Sequence, residues 1–184
     1  EIFFSSRRPH TRFADVTRVH TGPPPLLRML HRVLHPGEFI DVAAGVLHSY
    51  VRGMGIEVLA NSDNVVRAGL TAKPVNVPEL LRIVDTSADG VAGRPRRLSD
   101  GVEIFDSASD RFRLFRVDAS ADPIALPGGG PRIAFCLRGR VELVGPTGEV
   151  AVLGDAESLF LPASTAAITA TGDGELYVVA TPAD

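Results

Sequence analysis

From Leu26 to Leu70 the chain alternates short runs of β-forming residues with Gly and Asn/Asp turns. The period then changes once. In PELLRIVD, Leu80, Leu81 and Val84 recur at helical spacing and Pro78 suits a first turn, which predicts a short helix over Glu79 to Asp85. Further on, FRLFRVDA, IAFCLRGRVELV, EVAVLG, SLFLPA, AAITAT and ELYVVAT are apolar or alternating runs. Turn signals such as Pro146-Thr147-Gly148 and Gly172-Asp173-Gly174 divide them. Short strands at that spacing predict an antiparallel sandwich or barrel, so the expected fold class is all-β with one or two short helices.

Two stretches break the pattern. Residues 1–25 carry no sustained period and finish in Pro23-Pro24-Pro25, which predicts an irregular leader. Within it, FFSSRRPHTRF resembles translated sequencing-adapter DNA, so the leader is expected to be non-native and Arg7, Arg8 and Arg12 are not read as a binding patch. Residues 86–101, TSADGVAGRPRRLSDG, read as an interdomain linker whose Arg94, Arg96 and Arg97 are solvated. The expected division is therefore 1–25, 26–85, 86–101 and 102–184. Pro127-Gly128-Gly129-Gly130-Pro131 precedes a strand rather than a helix, which favours a mobile loop over a phosphate loop.

Composition narrows the function classes. With 184 residues and 45% hydrophobic content the chain can build one large core or two small ones. A net charge of -3 provides no basic field for nucleic acid. Cys136 is the single cysteine, which excludes an intrachain disulfide and fits a reducing, cytoplasmic setting. Between Phe135 and Leu137 it reads as a buried small hydrophobe. No apolar run reaches the roughly 18 to 20 residues of a membrane span, so no membrane partner is expected.

Candidate chemistry is concentrated between Gly37 and Lys73, where metal-competent His48 is followed by Arg67 and Lys73. Cations beside a metal ligand suit an anionic, phosphorylated substrate. Taken alone, a His at the end of an apolar strand is also an ordinary structural residue, and a catalytic zinc needs about three protein ligands. His10 and His20 lie in the expected leader, and His31 and His35 share one face of a helix or strand edge. Tyr50 shares a strand face with His48 by the period of two.

An internal echo sharpens the fold. Gly37, Gly45 and His48 in PGEFIDVAAGVLH recur in outline as Gly154, Pro162 and Ala163 in LGDAESLFLPAST. Both stretches resemble the second signature of the cupin superfamily: a Gly turn, a strand, a Pro-x-Gly corner and a His. Ala43 replaces the Pro in the first copy, and the His position of the second falls on Ala167. The expectation is a pair of cupin jelly rolls, the second metal-free.

The segment HSYVRGMGIEVLANSDNVVRAGLTAKPVNVPELLRIVD, residues 48–85, closely resembles the signature of type I mannose-6-phosphate isomerases. Ala60-Asn61-Ser62-Asp63-Asn64 followed by Arg67-Ala68-Gly69-Leu70-Thr71 carries the likeness, and residues 102–184 resemble that family's C-terminal cupin domain. The resemblance implies the C-terminal half of the enzyme, with 26–85 the end of the catalytic cupin and the upstream metal ligands missing. It implies zinc as cofactor, a sugar phosphate as the small-molecule partner, a monomer, and interconversion of mannose 6-phosphate and fructose 6-phosphate.

By the same resemblance, His48 matches the C-terminal zinc ligand and Arg67 an active-site arginine. Glu57 is a candidate proton carrier, and Asp63 and Lys73, with Tyr50, border the substrate pocket. Alternatives stay open at each position. Arg67 could pair with Asp63 or Glu57, Glu57 could be an ordinary ion-pair partner, Asp63 could cap its turn, and Lys73 could be solvated. The whole chain could equally be a noncatalytic bicupin that binds a sugar phosphate, or a structural fragment.

Overall fold

The computed structural model describes residues 2–5, 14–21, 27–61, 65–69, 72–165 and 167–182, with side chains from Arg32 onward. The chain divides into two compact units, Glu1–Arg94 and Pro95–Asp184. Strands dominate both, and a single short helix is present among the described residues. None of the helices is long and apolar enough to cross a membrane among those residues.

The first unit contains β1 (Ile2–Ser5), β2 (Ala14–Thr21), β3 (Leu27–Leu34), β4 (Phe39–Asp41), β5 (His48–Arg52), β6 (Gly55–Val58), α1 (Val77–Ile83) and β7 (Val91–Gly93). They form two antiparallel sheets, ordered β6-β1-β4-β7 and β3-β2-β5. Consecutive strands cross from one sheet to the other between β3 and β4, β4 and β5, and β5 and β6. Leu34 at the end of β3 and Ile40 of β4 bury into one cluster with Val42 and Val46, so the two sheets share a core. The helix starts where Asn76 Oδ1 accepts from the Glu79 amide at 3.2 Å, and proline occupies its first turn.

The second unit contains β8 (Arg96–Ser99), β9 (Val102–Phe105), β10 (Arg113–Ala119), β11 (Ile124–Ala125), β12 (Gly129–Val144), β13 (Val150–Leu153), β14 (Ser158–Leu161) and β15 (Thr169–Thr181). All eight join one antiparallel sheet around the long β12–β15 pair. One edge of β12 takes β14 at Arg132–Phe135 and β13 at Val141–Val144, and the pairing with β15 on its other edge shifts register between Cys136 and Arg138. Val102, Val117, Cys136, Leu153, Leu161 and Leu176 come from six strands yet share one core, so the sheet curls over on itself. Gly139 makes the bend possible. Its φ is 85°, and a Cβ there would lie 2.0 Å from the Asp173 carbonyl oxygen.

The opposite face of this sheet holds buried charge. Arg116 pairs with Glu103 at 2.6 Å, and buried Glu175 accepts from Arg138 at 2.9 Å and from the Tyr177 hydroxyl at 2.5 Å. Burial, reinforced by the Glu175 charge, pushes the Tyr177 phenol well above its ordinary value.

Three expectations change. Residues 1–25, expected to be irregular, contribute β1 and β2, whose partners lie far along the chain: Ile2 opposite Asp41, Asp15 opposite Val33. Residues 86–101, expected as a linker, do contain the boundary between the units after Arg94, but they also hold the short strands β7 and β8. The Gly128–Pro131 stretch is not wholly a loop, because Gly129 and Gly130 already begin β12.

The internal echo is present at an altered register. His35 N donates to Glu38 Oε2 at 2.9 Å, and Gly154 N donates to Glu157 Oε2 at 2.8 Å. Each Glu amide returns a bond to the carbonyl three residues back. Positive φ falls on Gly37 in the first turn and on Ala156 in the second. Val46 N to Ala43 O and Thr165 N to Pro162 O then close matching corners. The counterpart of Gly37 is therefore Ala156 rather than Gly154, and the same constant spacing sets Ala163 against Ala44 and Ala167 against His48.

Candidate active site

The two sheets of the first unit part at a small open cleft, whose apolar floor is Ile40, Val42 and Val46. His48, Arg32, Asp89 and the Gly90 backbone stand around it. The corner Ala43–Val46 delivers His48 to the cleft, and its Gly45 is required: φ is 86° and a Cβ would lie 2.8 Å from the Ile83 carbonyl oxygen. His48 Nδ1 lies 3.0 Å from the Val46 carbonyl oxygen. In the tautomer that donates this bond, Nε2 is left as the nitrogen able to bind a metal.

Three predicted residues meet. The rings of His48 and Tyr50 stack edge-on with centroids 5.6 Å apart, and the Tyr50 hydroxyl donates to Glu57 Oε1 at 2.9 Å. Tyr50 follows His48 on β5 by the period of two, and Glu57 lies on β6, which belongs to the other sheet. Arg67 and Lys73 are exposed on the segment before α1. Asp63 lies outside the described residues.

Zinc fits this chain only in part. The Nδ1 contact of His48 can leave its Nε2 for a metal, but among the described residues no group of three or more His, Cys, Asp or Glu side chains could hold a metal. The chain's described residues therefore do not make a complete zinc site.

Sequence reasoning overlooked Arg32 and Asp89. Arg32 Nη2 donates to Asp89 Oδ2 at 3.2 Å, with the two side chains 40% and 41% exposed. They stand 57 residues apart, and no local period links them. Cys136, by contrast, is fully buried in the second core as expected, and burial pushes its thiol up, away from nucleophilic chemistry.

A curled antiparallel β-unit joined to a two-sheet unit, with a His at the mouth of the latter, defines a protein of the cupin class. Known proteins make the assignment narrower. The mannose-6-phosphate isomerase of Escherichia coli is 33% identical over 147 residues, which is 78% of this chain and 37% of that protein. The Bos taurus mannose-6-phosphate isomerase is 30% identical over 65% of this chain and 30% of its own length. Among solved structures, mannose 6-phosphate isomerase from Salmonella typhimurium bound to fructose 6-phosphate and zinc superposes with a TM-score of 0.75 at 31% identity. That match covers 85% of this chain and 40% of the other. No family model matches the chain.

The chain belongs to the mannose-6-phosphate isomerase family as a partial, type I-like homologue. It spans 37% of the length of its Escherichia coli relative.

Proposed function

We propose that this chain is the C-terminal part of a zinc-dependent aldose-ketose isomerase that interconverts mannose 6-phosphate and fructose 6-phosphate. The likeness to mannose-6-phosphate isomerases over 78% of the chain carries the reading. The reaction moves a proton between adjacent carbons through an enediol, which calls for a base, a stabiliser of developing negative charge and cations for phosphate.

Glu57 is the proton carrier in this scheme. The Tyr50 hydroxyl donates to its carboxylate and orients one oxygen. Arg67 meets the negative charge that develops on the enediolate, its planar fork suiting two oxygens at once. Lys73, the cation for phosphate, and Asp63 border the substrate pocket, and Tyr50 packs edge-on against His48. His48 gives one ligand to a zinc whose remaining ligands belong to the longer protein; when bound, that ion supplies a Lewis acid. The single buried Cys136 suits a reducing, cytoplasmic setting, and the protein acts as a monomer.

The test is a coupled assay for fructose 6-phosphate on the protein extended upstream by the missing part of the family's length. Activity is expected. Arg67→Ala should lower kcat by about a hundredfold, or about 3 kcal/mol of transition-state stabilisation, with partial rescue in Arg67→Lys. An extended protein that folds and holds zinc but makes no product would overturn the isomerase reading and leave a sugar-phosphate-binding bicupin. A fully active Arg67→Ala would overturn only the role of Arg67.

A further inference from the structure

The reading above assigns the phosphate end of the substrate to Lys73, the enediolate charge to Arg67 and the proton transfer to Glu57. It leaves the Arg32–Asp89 pair at the mouth of the His48 cleft unused. Three observations bear on what that pair does.

The first is how firmly it is placed. Arg32 sits on β3, and Asp89 sits on the strap between α1 and β7. The strap is tied to the corner that delivers His48: Asp85 N donates to the Gly45 carbonyl at 3.0 Å. Asp85 Oδ1 then accepts from Ser87 N, Ser87 Oγ and Ala88 N at 2.8, 2.6 and 3.0 Å, folding the strap back on itself. Ala88 packs against the core cluster, and a Cβ on Gly90 would lie 2.7 Å from Ile40 Cδ1. Asp89 is therefore held at a set position relative to His48.

The second is the looseness of the pair itself. A partly exposed ion pair at 3.2 Å contributes little to stability. The contact between the two is cheap to reorganise around a ligand.

The third is charge. The pair sums to zero, so it does not select an anion; it offers a planar donor fork beside a carboxylate acceptor, above an apolar floor of Ile40, Val42 and Val46. Neighbouring hydroxyls on a carbon chain both donate and accept, and the adjoining C–H face is apolar. That is the complement of this arrangement.

We propose that Arg32 and Asp89 form a hydroxyl-binding subsite at the mouth of the His48 cleft, Asp89 accepting from one sugar hydroxyl and Arg32 donating to its neighbour. The inference rests on the sugar-phosphate reading and adds the residues that recognise the uncharged part of that substrate. Phosphate stays with Lys73, and the two ends of the molecule are read by separate groups.

The experiment uses the full chain and three probes: mannose, mannose 6-phosphate and inorganic phosphate. Binding is followed by NMR through the arginine Nε–H and histidine ring signals. Arg32→Gln and Asp89→Asn should each weaken mannose and mannose 6-phosphate by about tenfold to a hundredfold, the range for a hydrogen bond to a charged group. Affinity for inorganic phosphate should not change. Arg32→Lys, which keeps the charge but not the fork, should recover part of the loss. Asp89→Asn is nearly isosteric, so unaltered amide dispersion in that variant separates lost binding from lost folding.

Wild-type sugar affinity in both variants would overturn the proposal. So would an equal loss for inorganic phosphate, or failure of the folded wild-type chain to bind mannose 6-phosphate. If the extended enzyme isomerises while the variants bind normally, only the subsite falls. If sugar binding depends on the pair but the extended protein makes no fructose 6-phosphate, the isomerase reading falls and the subsite stands.

Discussion

The two Glu-closed turns of this chain, His35–Glu38 and Gly154–Glu157, are built alike and lead to different ends. Both fold a carboxylate back onto the amide that opens the turn, both place one residue at positive φ, and both feed a short strand and a matching corner. After the corner the first copy presents His48 and the second presents Ala167. The scaffold is thus separable from the chemistry it carries. A Glu, a left-handed residue and a buried apolar position hold the shape, and the single side chain after the corner decides whether a metal-competent group emerges.

Zinc gives the largest expected contrast. A complete structural zinc site is worth on the order of 10 to 16 kcal/mol in apparent binding free energy, and one imidazole reaches only a small part of that. After dialysis this chain should retain far less than one zinc, and Ala167→His should not raise the content. The extended protein should hold zinc and lose it on His48→Ala. Elemental analysis showing one tightly held zinc on this chain would break the comparison, because the first unit would then complete its own site.

The next effect is confined to the second unit. Gly139→Ala forces a Cβ into the Asp173 carbonyl oxygen and places a non-glycine residue at φ 85°. The left-handed backbone alone costs about 1 to 2 kcal/mol, and the backbone must also shift. Thermal unfolding should show a transition lowered by on the order of 10 °C. Amide signals of the first unit should be unchanged. Joint loss of both units would show that they do not fold as separate bodies.

How far the sequence discloses these features depends on the range of the interaction. The runs in β10, β12, β13 and β14 are visible because alternation is local and one face is buried. Helix α1 is visible through Pro78 and the helical spacing of its leucines, although none of its residues is buried. Strand β8 is exposed along its whole length, so it has no apolar signal, and only its pairing with β9 makes it a strand. His48 and Tyr50 lie two apart and declare their shared face. Arg32 and Asp89 meet only through tertiary folding. The mismatch of Gly37 with Gly154 arose from pairing like letters, whereas the backbone pairs positive φ, which here includes an alanine.

Acid should act on the first turn through Glu38. Its carboxyl is held below the ordinary value chiefly by the hydrogen bond from the His35 backbone, with Arg94 assisting. A depressed carboxyl contributes stability that is fully present above its unfolded value of 4.5 and is lost as pH falls through the folded value. Glu38→Gln keeps an oxygen for the His35 amide but has no proton to gain. Below pH 4.5 the stability of the first unit should therefore fall less steeply in the variant than in the wild type, as measured by urea unfolding at a series of pH values. Equal slopes would remove Glu38 from the acid response.

The smallest effect tests the turns directly. Ala156 has φ 61°, a conformation that costs an L-residue about 1 to 2 kcal/mol, and the first copy meets the same need with Gly37 at φ 85°. Glycine relieves that strain but loses more backbone entropy on folding, by roughly 0.5 to 1 kcal/mol. Strain is the larger quantity, so Ala156→Gly should stabilise the second unit by about 0.5 to 1 kcal/mol, a rise of about 4 °C in Tm. Gly37→Ala should cost the first unit at least as much, because Gly37 is buried and its new methyl needs room. Paired melts of the two variants, each followed by signals from its own unit, read the two signs. If Ala156→Gly lowers Tm, entropy outweighs strain at this position, and the alanine belongs to the turn as a stabilising residue rather than as a tolerated one.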